Sequence, residues 1–118
     1  AAKLTVLQSE ADLERRKQDI AIAVAAAAGQ ITTTQQRVAA TQTALDLARQ
    51  SLDAEEKRFK AGGASSTYLV LQQQLLLASA ENSLARALAD QRRALATYQR
   101  ETGTTLAQHQ IALTEAKP

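Results

Sequence analysis

Only one stretch of this chain can stop a helix decisively. Residues 61–67 read Ala61-Gly62-Gly63-Ala64-Ser65-Ser66-Thr67, two glycines followed by hydroxyl residues. Residues 6–60 hold no proline and one glycine, Gly29, and residues 67–102 hold neither. Glycine ends a helix by adopting the left-handed conformation, and a hydroxyl just before the next helix caps its free N–H groups. The pattern predicts a helix over about residues 6–60, a tip turn at 61–66, a second helix over about 67–102, and a short segment at 104–118. At about 1.5 Å per residue the helices would run near 80 and 55 Å, which predicts a rod-like single hairpin domain rather than a globule. Composition agrees. Of 118 residues 26 are Ala and 14 are Gln, with one Phe, two Tyr, and no Trp, Met or Cys. Good helix formers dominate, and the turn residues and aromatics that a compact β protein needs are missing. The fold class expected is all-α.

Apolar residues recur at sevens. Val24, Ile31, Val38, Leu45, Leu52 and Phe59 form one series, preceded by Val6, Leu13 and Ile20 after a four-residue step. The second helix carries Val70, Leu77 and Leu84, then a step of four to Leu88 and Leu95. Sevens define a coiled-coil seam, and an inserted four reads as a stutter. A turn at Gly63 sets the seams antiparallel, with Leu52 near Leu75, Val38 near Leu88 and Ile31 near Leu95. This is a long αα-hairpin. Phe59 and Tyr98 are expected in its core. Gly103 is placed to cap the second helix in the left-handed conformation, and Thr105-Leu106-Ala107-Gln108 fits a capping box for a short helix over 106–113.

The apolar surface exceeds one stripe per helix. Residues 20–28 are apolar all round, Ala40, Ala44, Leu47, Ala48 and Ala54 form a second track, and Leu75, Leu76 and Leu77 point three ways. Ala78, Ala85 and Ala89 add another line of small residues. A helix apolar on several faces has several neighbours. Gly29, costly in mid-helix, suggests close packing there.

A net charge of +2, with acids and bases interleaved, argues against nucleic acid as a partner. No stretch is long and apolar enough to span a bilayer as a helix, and Ala1–Glu10 does not read as a secretory signal. The chain opens without Met, directly into helical sequence, and looks like a mature or excised piece. No cofactor or metal site is expected: carboxylates at Glu10, Asp12, Glu14 and Asp19 lack metal-loop spacing and are mixed with Arg15, Arg16 and Lys17. Ser65 and Ser66, with Thr67, read as helix caps. The lone His109 is too far along the chain to activate them, so no catalysis is expected.

The run Arg58-Phe59-Lys60-Ala61-Gly62-Gly63-Ala64-Ser65-Ser66-Thr67-Tyr68-Leu69-Val70-Leu71-Gln72-Gln73-Gln74-Leu75-Leu76-Leu77-Ala78 resembles the helix–turn–helix of bacterial outer-membrane efflux proteins, the TolC-like channels. Tyr98-Gln99-Arg100-Glu101-Thr102-Gly103-Thr104-Thr105-Leu106 is similar to the close of that family's repeat, and Glu14-Arg15-Arg16 with Ile20 and Val24 resembles the start of its long helix. The likeness covers nearly the whole chain, about one of two repeats. It implies a homotrimeric channel whose hairpins form a periplasmic α-barrel below an outer-membrane β-barrel in a Gram-negative-type bacterium. The tip would meet a periplasmic adaptor and an inner-membrane pump, with Arg58, Lys60, Gly62, Gly63, Ser65 and Ser66 as contact residues. One departure concerns charge. Leu69 stands where the family commonly has an acid, and residues 61–80 carry no charge, so a tip acid ring is not carried over. The rival readings are the coiled-coil hairpin of a periplasmic adaptor and a purely structural coiled coil.

Overall fold

The computed structural model describes residues 1–63 and 65–104, and the expected helix over 106–113 and His109 lie outside them. Two helices account for the described residues: α1, Ala2–Lys60, and α2, Thr67–Thr102, forming an antiparallel hairpin with no strand among the described residues. The α1 start lies four residues before the expected one, because nothing between Ala2 and Val6 breaks a helix. The Thr5 N–H and hydroxyl both donate to the Ala1 carbonyl, closing the first turn. Packing groups the chain into two units, residues 33–92 and residues 1–32 with 93–118.

In the unit of residues 33–92, the covered positions of α1 are Thr34, Val38, Thr41, Leu45, Ala48, Leu52 and Glu55, in strictly alternating steps of four and three, with Glu56 beside them. Those of α2 are Val70, Gln73, Leu77, Ala80, Leu84, Ala87 and Gln91, with Asp90 beside them. These are the a and d positions of a heptad. Val38, Leu45 and Leu52 take a in α1, Val70, Leu77, Leu84 and Gln91 take a in α2, and small or polar residues take d. Register is fixed by an ion pair, Arg37 Nη1 to Asp90 Oδ2 at 3.4 Å, between g positions. Residue 37 therefore stands level with residue 90, so the expected axial register is correct to within a residue or two. Leu45 is 3% exposed and Ala87 1%. Fully burying a leucine side chain contributes about 1.5–3 kcal/mol.

The other unit follows the same rule. Val24 and Ile31 hold a and Ala27 holds d, with Ala23 beside them on the covered face, and α2 offers Ala94 and Glu101 at d and Tyr98 at a. Residues 2–22 of α1 are exposed throughout.

The phase corrects part of the expected core. Neither helix contains a stutter. In α1 the series Val6, Leu13, Ile20 is the d track, continued by Ala27, Thr34, Thr41 and Ala48, while the series from Val24 is the a track. The large apolar residues change track and the helix does not change phase. In α2 the a track continues from Leu84 through Gln91 to Tyr98, so Leu88 and Leu95 fall at e, on the flank, and each is 40% exposed. Leu75 is level with Leu52 but lies at f, opposite the seam, and is 72% exposed. Phe59 is 48% exposed: it lies level with Tyr68, which points away, and the first covered residue of α2 is Val70. Ala48 belongs to the seam, not to the second alanine track. Gly29 is not explained by crowding among the described residues, since a Cβ built there meets none of them within 4 Å.

Candidate functional site

The tip is built by consecutive local motifs. Gly62 has φ +70° and closes α1. Its N–H donates to the Phe59 carbonyl at 3.2 Å and the Gly63 N–H donates to the Arg58 carbonyl at 3.1 Å, the paired bonds of a Schellman cap. Gly63 is favoured for a different reason: a Cβ there would lie 3.3 Å from the Arg58 carbonyl oxygen that its own N–H uses, a tight contact. The end of α2 repeats the device as expected, with Gly103 at φ +70° and bonds from Gly103 to Arg100 and from Thr104 to Gln99.

The three hydroxyl residues divide their work. Ser66 is the N-cap of α2, its Oγ accepting from the Leu69 N–H at 3.3 Å. Ser65 does not cap. Its hydroxyl donates to the carboxylate of Glu55, ten residues earlier on α1. Glu55 also pairs with Arg58 Nη1 at 3.5 Å, and its side chain is only 12% exposed. One carboxylate thus ties the last turns of α1 to the residue just before the Ser66 cap. Glu55 was not among the expected site residues. The available signal was positional: it is the d residue one heptad after Ala48, where a charged side chain needs a partner within reach.

Of the expected contact residues, Arg58 and Ser65 converge on Glu55, Gly62 and Gly63 form the turn, Ser66 caps, and Lys60 is exposed at the last helical position. Lys57 pairs with Asp53 at 2.6 Å. The side-chain hydrogen bond that Lys57 donates to Asp53, and then the charge of that carboxylate, raise the lysine pKa above its ordinary value. The small benefit of this exposed pair is fully present below the ordinary lysine value and is lost as pH rises through the raised one. The basic end of α1 meets an uncharged apolar start of α2, where Tyr68, Leu69, Leu71, Leu75 and Leu76 are exposed. Nothing here resembles a ligand cage: among the described residues no group of three or more His, Cys, Asp or Glu converges. No described helix is long and apolar enough to cross a membrane.

Compared with known protein families, curated proteins and solved structures, the chain matches none of them.

Proposed function

We propose that this hairpin is a wall element of a trimeric outer-membrane efflux or secretion channel, lining its periplasmic tunnel and offering its tip to a periplasmic adaptor coupled to an inner-membrane pump. One observation carries the reading. The hairpin fills its own seam and still leaves leucines on other faces, with Leu75 on f, Leu71 on b, Leu76 on g, and Leu88 and Leu95 on e all exposed, as is Leu47 of α1. A hairpin needing no lateral neighbour would carry polar residues there, and side-by-side packing of further helices would cover them. Several alanines on the same outer faces, Ala78, Ala85 and Ala89, would let neighbouring backbones come close. The resemblance of residues 58–78 and 98–106 to TolC-like channels supports the same reading. The tip supports it too: its two glycines leave no side chain to hold off a second helical tip.

The test uses the full-length parent protein in cells. Gly63→Phe should reduce export while leaving the trimer intact on native mass spectrometry. Export unchanged in that variant contradicts the tip as contact site, and a parent that is monomeric contradicts the wall.

A further inference from the structure

Residues 2–22 of α1 carry on the d track of the hairpin seam, and no described residue of α2 covers them: Val6, Leu13 and Ile20 are each more than half exposed. The three lie in unbroken heptad phase with buried Ala27, so the surface that packs against α2 farther along continues here as an open seam. The a positions of this stretch are charged and alternate in sign: Lys3, Glu10, Lys17. We propose that this stretch is a self-pairing surface on which a second copy of the chain docks antiparallel. The geometry of the hairpin, in which like heptad positions such as g and g meet across an antiparallel seam, transfers directly. With Leu13 on the two-fold axis, Val6 stands level with the second copy's Ile20, and Glu10 lies within a residue of level with its Lys17 and flanking Arg16. The two-fold makes each pairing occur twice. A parallel pair would instead oppose each of Lys3, Glu10 and Lys17 to itself, so the charges choose the antiparallel arrangement. Lys17 currently pairs with Glu14 on its own helix at 3.1 Å. That pair is largely exposed, contributes little, and exchanges readily for an intermolecular one. Glu14, on the other flank, approaches its own copy near the axis and is the one residue that opposes pairing.

The inference does not depend on the channel reading, since it concerns the isolated chain in solution and residues outside the tip. Sedimentation equilibrium of the 118-residue chain should show a monomer–dimer equilibrium. Glu10→Lys or Lys17→Glu alone should weaken the dimer about tenfold, the double exchange should restore it, and Glu14→Gln should tighten it. Circular dichroism of each variant separates lost pairing from lost helix. Mixing Val6→Cys with Ile20→Cys under oxidising conditions should give disulfide-linked dimers of one variant with the other. A monomer at all concentrations would overturn the proposal and show the stripe covered within the chain. Dimers insensitive to the single charge changes, or joined 6 to 6, would overturn it in favour of a parallel pair.

Discussion

Three glycines of this chain carry three different loads. Gly62 is left-handed, so Gly62→Ala should cost about 1–2 kcal/mol, read by thermal or urea unfolding. Gly29 has open space where a Cβ would go, so Gly29→Ala should stabilise by about 0.5–1 kcal/mol through helix propensity alone. A loss of stability there would reveal packing against another molecule already present in solution. Gly63 sits between these cases, crowded by the Arg58 carbonyl. Among the leucines the contrast is equally sharp. Leu45→Ala empties a buried a position and should cost about 2–4 kcal/mol. Leu88→Ala, on the flank, should cost under about 1 kcal/mol, where a core assignment would demand a value like that of Leu45. Glu55→Ala leaves the Ser65 hydroxyl without its acceptor and should cost about 1–2 kcal/mol, lost at the turn first.

At the scale of the element, helix type, turn and register were legible because each had a strong local signal: an unbroken run of helix formers, two glycines, and a hydroxyl cap. The register followed from the turn, and the Arg37–Asp90 pair agrees with it. A short bismaleimide should join cysteines at 37 and 90 within one chain, and failure in the folded monomer would contradict the register. Phase was less legible. Reading only large apolar residues skips Ala27, Thr34, Ala87 and Ala94, which are among the most buried positions because small side chains sit where two helices come closest. Where the large residues moved from d to a in α1, the eye finds a false stutter. In α2 polar Gln91 interrupts the a track, and Leu88 and Leu95 on the flank supply a false continuation. At the tip the glycines and Ser66 were legible from their types, whereas the Glu55–Ser65 bond joins residues ten apart with no motif to announce it.

For the whole molecule the main feature is surplus apolar surface, apportioned to different places. The seam closes the hairpin on itself, the outer leucines and alanines of α2 are where the proposed lateral neighbours would pack, and residues 2–22 of α1 are where the proposed second copy would dock. Each assignment presumes a single heptad phase from Val6 to Glu55 and from Val70 to Glu101. That phase is tested most directly by the labelling rates of single cysteines placed at 87, 88, 94 and 95 in the folded chain. The account predicts slow modification at 87 and 94 and fast modification at 88 and 95. The reverse order would place Leu88 and Leu95 in the core and contradict the seam on which every surface described above depends.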